Sequence, residues 1–253
     1  MYKRQVKTFE IIFSPTGGTE KVAEIIAENI SESIQKIDLS DYKVDFTDLE
    51  ISNDDLVIVA MPSFGGRAPS VAVERMKQIN GNGAKCVLIC VYGNRAYEDT
   101  LVEMEDMAKD CGLKVIAAIA AVAQHSIFPQ YGENRPDDID EKQLVQFTKQ
   151  IVGKTEIVHL IPGNRPYKQA GGGGLVPQPT QDCIECGVCC EKCPVQAISM
   201  PDFKADPQKC ISCMRCVNCC PNASRKFDSA KASVVAEAIK KACSQRKENK
   251  LFL

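Results

Sequence analysis

Tryptophan is absent from the 253 residues, and the chain lacks several other features whose absence narrows its function. There is no charge imbalance. Thirty-one Lys and Arg stand against 33 Asp and Glu, a formal net charge of −2. With no basic stripe to neutralise phosphates, a nucleic-acid partner is not expected. There is no long hydrophobic run. The longest wholly apolar stretch, Val115 to Ala123, has nine residues, against the roughly 20 that a membrane-spanning helix needs. No charged-then-apolar leader opens the sequence, so a soluble cytoplasmic protein outside any oxidising compartment is expected. No G-x-G-x-x-G follows a strand-like run. Gly81-Asn82-Gly83 precedes one and reads as a turn, which disfavours a dedicated dinucleotide site.

What the chain has in excess is cysteine, 14 in all. Eight fall in two runs, Cys183-x2-Cys186-x2-Cys189-x3-Cys193-Pro194 and Cys210-x2-Cys213-x2-Cys216-x3-Cys220-Pro221, whose starts are 27 residues apart. Three thiolates on one tight loop can grip three corners of an iron-sulfur cubane. A fourth, just before proline, reaches the other cluster in two-cluster proteins. The rivals are zinc and disulfides. A structural zinc takes four ligands, usually as two separated C-x2-C pairs, and these runs are built differently. Disulfides need the oxidising compartment that nothing here points to. The two runs read as an internal repeat, with Val195 to Met200 starting as a helical turn and Pro201-Asp202 turning the chain into the second run. Of the other six cysteines, Cys86 and Cys90 lie in an apolar strand and read as core. Cys190 and Cys219 sit beside ligand positions at equivalent places and read as small apolar fillers.

The length allows one ordinary domain plus a small one. In the first 155 or so residues, apolar runs alternate with amphipathic segments. Val6–Phe13, Leu56–Met61, Cys86–Tyr92 and Lys114–Ala123 read as buried strands, and Tyr42–Thr47 as a second, edge strand. Thr19–Ser33, Val71–Ile79, Tyr97–Cys111 and Asp138–Val152 read as helices. That alternation predicts an α/β fold with a parallel sheet covered on both faces. Five such strands suggest the doubly wound order 2-1-3-4-5, with a ligand beyond the carboxyl ends at the switch between strands 1 and 3.

At that switch stands Ser14-Pro15-Thr16-Gly17-Gly18-Thr19, between strand 1 and a helix. Its backbone N–H groups, Ser and Thr hydroxyls and helix N-terminus can surround a phosphate without a lysine. The motif resembles the flavodoxin phosphate loop, S/T-x-T-G-x-T. Two further loops fall where a flavin ring would lie: Pro62-Ser63-Phe64-Gly65-Gly66-Arg67 and Tyr92-Gly93-Asn94-Arg95-Ala96-Tyr97. Phe64, Tyr92 and Tyr97 offer apolar walls, or else pack in the core. Gly65, Gly66 and Gly93 allow close backbone approach. The missing tryptophan removes a frequent stacking partner of flavodoxin rings.

Nearly the whole chain resembles the flavodoxin–ferredoxin fusions of anaerobic bacteria, and residues 175–227 resemble a bacterial two-cluster ferredoxin. The resemblance implies FMN and two 4Fe-4S clusters. It implies Cys183, Cys186, Cys189 and Cys220 at one cluster, and Cys210, Cys213, Cys216 and Cys193 at the other. The segments Gln124-His125-Ser126 and Asn134-Arg135-Pro136-Asp137 are also similar to that family's pattern after strand 5, where His125 either approaches the flavin or is satisfied within its loop.

The implied layout is a flavodoxin-like FMN domain over 1–161, a Gly/Pro-rich linker over 162–179, a small α+β two-cluster ferredoxin over 180–228 and a C-terminal helix and tail over 229–253. The linker, with Gly171 to Gly174, reads as a mobile tether. Ser229–Gln245 reads as a helix docked on the core. Two functions stay open. One is an electron carrier between redox proteins, linking one-electron and two-electron chemistry. The other is an FMN-dependent oxidoreductase acting on NAD(P) or a small organic substrate at the flavin. Electron transfer within one chain and transfer across a homodimer both fit this layout.

Overall fold

The structure, a computed structural model, describes residues 6–171 and 174–253. The chain runs β1 (Thr8–Ile12), α1 (Gly18–Glu28), β2 (Ile34–Asp38), β3 (Leu56–Pro62), α2 (Ser70–Met76), β4 (Lys85–Tyr92), α3 (Thr100–Asp110), β5 (Lys114–Val122) and α4 (Asp138–Ile151). The cysteine-rich segment adds β6 (Gln178–Pro179), α5 (Val188–Glu191), α6 (Arg215–Asn218) and β7 (Arg225–Lys226). It is followed by α7 (Ser229–Cys243) and β8 (Lys250–Phe252).

One sheet organises the molecule in the order β2-β1-β3-β4-β5-β8. Its first five strands are parallel, so β2-β1-β3-β4-β5 is the flavodoxin-like doubly wound order 2-1-3-4-5. Successive side chains on a strand point to opposite faces, and here both faces are covered. Phe9, Ile11, Val57, Val59, Leu88 and Cys90 pack with Met76 of α2 and Leu101 and Met104 of α3. Ile58, Ala60, Val87 and Ile89 pack with Val22 and Ile26 of α1 and Leu144 of α4. Burial on both sides is why these strands are near-continuous apolar runs rather than alternating ones. Cys86 and Cys90 are fully buried in β4, as expected of core. Among the described residues no helix is long and apolar enough to cross a membrane.

Three expectations are corrected. The edge strand is β2, Ile34–Asp38, not Tyr42–Thr47. Asp41 and Asp45 each accept from the N–H two residues on, at Lys43 (2.9 Å) and Thr47 (3.0 Å). Such turns bend the chain away from an extended path, and a one-turn 3-10 helix, Phe46–Asp48, follows instead with Phe46 buried. Secondly, the sheet has six strands rather than the expected five. Strand β8 lies antiparallel to β5, with Leu251 opposite Ile119, and closes that edge of the sheet.

Thirdly, the described part of the linker up to Gly171 is strapped down rather than a mobile tether. Asn164 and Lys168 donate backbone N–H bonds to the two carboxylate oxygens of Asp99, each at 2.8 Å. Arg165 reaches Asp106 and Glu105, and the Tyr167 hydroxyl donates to Asp106. Gly172 and Gly173, the middle of the glycine tract, lie outside the described residues.

The cysteine-rich segment shows its internal repeat in the backbone. Left-handed residues recur 27 apart: Glu185 and Ser212 (φ 54 and 53), Gly187 and Met214 (φ 76 and 63), Gln196 and Ala223 (φ 49 and 48). The four-residue helices α5 and α6 begin with the same offset. So does one contact to sulfur: Ala197 N donates to Cys193 Sγ at 3.2 Å and Ser224 N to Cys220 Sγ at 3.3 Å.

Candidate functional site

A cavity of about 380 Å³ opens at the carboxyl ends of β1, β3, β4 and β5, the end at which open α/β sheets bind ligands. At one side lies the turn into α1, where Gly17 takes the left-handed conformation at the helix N-cap. The N–H groups of Thr16, Gly17, Gly18 and Thr19 donate to no described residue. Thr16, Gly18 and Thr19 line the cavity. Unpaired N–H groups at a helix start, with its positive dipole end, favour an anion. Ser14 has a different duty, since its Oγ accepts from Glu20 N at 3.0 Å and anchors the first helical turn.

The loop after β3 contributes Pro62, Ser63, Phe64 and Gly65. Phe64 and Arg67 exchange backbone hydrogen bonds (2.9 and 3.2 Å) across Gly65 and Gly66, both at positive φ, a turn that suits glycine at its centre. A side chain on Gly66 would collide with Glu98. Arg67 does not line the cavity. Its Nε and Nη2 make a two-pronged pair with Glu103, each at 2.7 Å, and Nη1 donates to Lys168 O. It therefore clamps the 162–171 strap to α3.

The loop after β4 brings Tyr92, Gly93 and Arg95 to the cavity, with Asn94 and Tyr97 behind. Tyr97 meets Tyr92 edge-on at 5.3 Å. Asn94 is buried and turned to the C-terminal tail, its Nδ2 donating to Cys243 O (2.8 Å) and Gln245 O (2.9 Å). Arg95 and Lys168 both bond Glu98. Burial works against ionising Glu98, but these bonds outweigh it and its pKa is lowered.

His125 lines the cavity opposite Gly93, whose missing side chain leaves room for the imidazole. Its Nδ1 accepts from Ile127 N (3.2 Å) and Phe128 N (3.3 Å), which leaves the ring proton on Nε2. Burial, with Arg95 adding to it, lowers its pKa to about 4, so the ring is neutral at pH 7.

Several residues line the cavity that the sequence did not connect with it. Val235 and Ile239 of α7 reach the cavity, as do Ile211, Ser212 and Cys213 of the cysteine-rich segment. Two smaller cavities divide the eight run cysteines into fours. Cys183, Cys186, Cys189 and Cys220 border one, the outer set. Cys193, Cys210, Cys213 and Cys216 border the other, the inner set. Among the described residues no three His, Cys, Asp or Glu side chains are grouped as ligands of a single ion. Arg225 borders the outer cavity and is buried, with Nη2 donating to Pro177 O at 2.6 Å, Nη1 to Phe203 O, and Nε to no described residue. Arg75 of α2 ties the inner set to the large domain, donating to Pro194 O and Leu39 O, each at 2.6 Å.

No family model matches the chain, and no curated protein matches it. Among solved structures it is similar to the Streptococcus pneumonia TIGR4 flavodoxin (20% identity over 57% of this chain and 97% of that one, TM-score 0.41). It is similar to oxidised Flavodoxin 1 from Bacillus cereus (20% identity over 59% and 99%, TM-score 0.43). It is also similar to the rubredoxin oxygen:oxidoreductase of the anaerobe Desulfovibrio gigas (14% identity over 59% and 36%, TM-score 0.43).

Proposed function

We propose that the protein is an electron-transfer iron-sulfur flavoprotein holding FMN in the large cavity and a 4Fe-4S cluster at each set of four cysteines. The residues fit both groups. Four N–H groups without acceptors, flanked by the Thr16 and Thr19 hydroxyls, suit a phosphate. Phe64 and Tyr92 offer apolar walls for a flat ring. Each cysteine set is all thiol, the donor that suits iron-sulfur chemistry. The buried Arg225 has a nitrogen to spare beside them. When bound, FMN exchanges one or two electrons and each cluster one.

The chain's own part is to hold and tune. The N–H groups of Ala197 and Ser224 point at the Cys193 and Cys220 sulfurs and favour negative charge there. His125 stays neutral and offers Nε2–H. The reading is carried by one observation: Cys213 borders the inner cysteine cavity and also the cavity of Thr16 and Thr19. Val235, Ile239 and Ile211 add an apolar wall to that cavity, which narrows the room for a second substrate stacked on the ring and favours a carrier for protein partners.

Anaerobic purification with flavin, iron and sulfide assays tests it. About one FMN and about eight irons per chain are expected. Protein lacking both, or carrying only zinc, overturns the reading. Rapid bleaching by NADH or NADPH without a helper protein selects the reductase instead.

A further inference from the structure

The two cysteine sets are not equivalent with respect to the large cavity. Ile211 and Cys213 border both the inner cysteine cavity and the large one. No residue of the outer cavity borders the large one. Ile211 also packs against the core cluster that includes Phe13 and Met61, as does Phe64. Residues 210–214 therefore form a shared partition, with thiols on one side and a wall of the flavin cavity on the other.

The backbone of that partition is not one a free loop adopts. Ser212 and Met214 are non-glycine residues at φ 53 and 63. Such conformations persist only where the surroundings fix them. Met214 is fixed by burial among Phe128, Leu175 and Ala232, and Cys210 N by Asp206 O at 2.9 Å. Ile211 and Ser212 lie between two inner-set thiols, so metal ligation at Cys210 and Cys213 would fix the segment from both ends. A group that binds one face of an ordered wall gains from whatever orders the other face, and the gain is reciprocal.

Resting on the function proposed above, we propose that Ile211–Cys213 couples the two sites: filling the inner cysteine set raises FMN affinity, FMN binding protects the inner cluster, and the outer set takes no part. The inner site is then the one in contact with the flavin within a single chain. The outer set, with Cys186 exposed, is left to face partners.

The test uses the full chain, reconstituted anaerobically, with FMN affinity read from flavin fluorescence and iron counted separately. Cys210→Ser removes an inner thiol that does not border the flavin cavity, and Cys186→Ser removes an outer one. Cys186→Ser should bind FMN as the unaltered protein does. Cys210→Ser should bind about tenfold more weakly, within the usual range of coupling between sites. Ile211→Ala should keep about eight irons and still bind FMN more weakly. Equal FMN affinity in Cys210→Ser and the unaltered protein, with inner iron lost, overturns the coupling. Should Cys210→Ser fail to fold, the reciprocal measurement decides. The apparent equilibrium constant for losing half of the irons to a competing chelator should fall about tenfold when FMN is saturating, and an unchanged constant overturns the coupling. If no variant and no unaltered protein binds FMN or iron, the underlying function fails rather than the coupling alone.

Discussion

Arg225 stands beside Cys216 with its guanidinium sealed from solvent, 2% exposed. Its two terminal nitrogens are held by the carbonyls of Pro177 and Phe203, while Nε has no hydrogen-bond partner among the described residues. A buried cation without a counter-charge is costly by several kcal/mol, and cysteines ligating the proposed clusters would supply that charge as thiolates. The more electrons those sulfurs carry, the more the cation favours them. Arg225→Met in the iron-loaded protein should lower the reduction potentials of the proposed clusters, since Arg225 borders the outer set and stands beside Cys216 of the inner one. A tenfold change in a one-electron equilibrium corresponds to about 60 mV, and a shift of at least that size is expected. A dye-mediated redox titration followed by electron paramagnetic resonance reads it. An unchanged potential leaves Arg225 a structural clamp between two carbonyls.

At the phosphate loop, replacing Thr16 and Thr19 together with Val removes two hydroxyls that line the flavin cavity. Hydrogen bonds to a charged group contribute about 1.5–3 kcal/mol each, so FMN affinity should fall by about 100-fold or more while iron content stays unchanged. Equilibrium dialysis with an iron assay separates the two. Undiminished affinity places the phosphate somewhere other than this loop.

Sequence made β1, β3, β4 and β5 legible because strands buried on both faces must be apolar throughout. The cysteine runs were legible because the spacing of residues along the chain is a local property. Strand β2 was not, since Ile34 and Ile37 are only half-buried at the sheet edge and leave a faint pattern. The three residues of β8 are too short to show a period. The roles of Arg67 and Asn94 depend on partners 36 and 149 residues away. Ile211, Val235 and Ile239 are ordinary apolar residues until the fold brings them to the cavity. The loops Ser14–Thr19, 62–67 and 92–97 could be located at the cavity end because each immediately follows a strand whose position the sheet order fixes.

Glu10 is fully buried in β1, with neither carboxylate oxygen hydrogen-bonded to a described residue and Lys36 Nζ at 3.9 Å. Burial raises its pKa to about 7, against the opposing pull of Lys36. A carboxyl with a raised folded-state pKa favours folding in its neutral form. Its destabilisation is absent below the unfolded value of 4.5 and grows as pH rises through about 7, to at most about 3 kcal/mol. Glu10→Gln should therefore match the unaltered protein in urea unfolding at pH 4 and exceed it by about 2 kcal/mol at pH 8. Equal stabilities at pH 8 mean that the carboxylate is solvated.

His125 runs the other way. Its folded pKa, about 4, lies below the ordinary 6.5. The unfolded chain therefore takes up a proton first as pH falls. Stability present above about 6.5 is lost progressively toward pH 4, by at most about 3 kcal/mol. In flavin-free protein, His125→Asn should flatten that acid limb of the stability curve, and in the unaltered protein the His125 imidazole resonances should not titrate between pH 5 and 8. A His125 titration midpoint near 6.5 overturns the neutral assignment.

Asn94 connects the flavin-side loop to the end of the chain. Besides its two bonds to Cys243 and Gln245 carbonyls, its Oδ1 accepts from Lys247 N at 3.1 Å. Its φ of 60 is one that Asn tolerates better than Ala does. Asn94→Ala should cost about 2–4 kcal/mol in urea unfolding, from three lost hydrogen bonds plus backbone strain. Asn94→Gly relieves the strain but not the lost bonds, so it should lie between Asn94→Ala and the unaltered protein. The same bonds hold the C-terminal end of α7, whose Val235 and Ile239 line the large cavity proposed for FMN. Both variants should therefore release FMN faster in stopped-flow dilution even where they remain folded. An unchanged release rate in a folded, destabilised Asn94→Gly protein would show that α7 keeps its place over the cavity without this anchor, through its contacts with Phe128 and Met214.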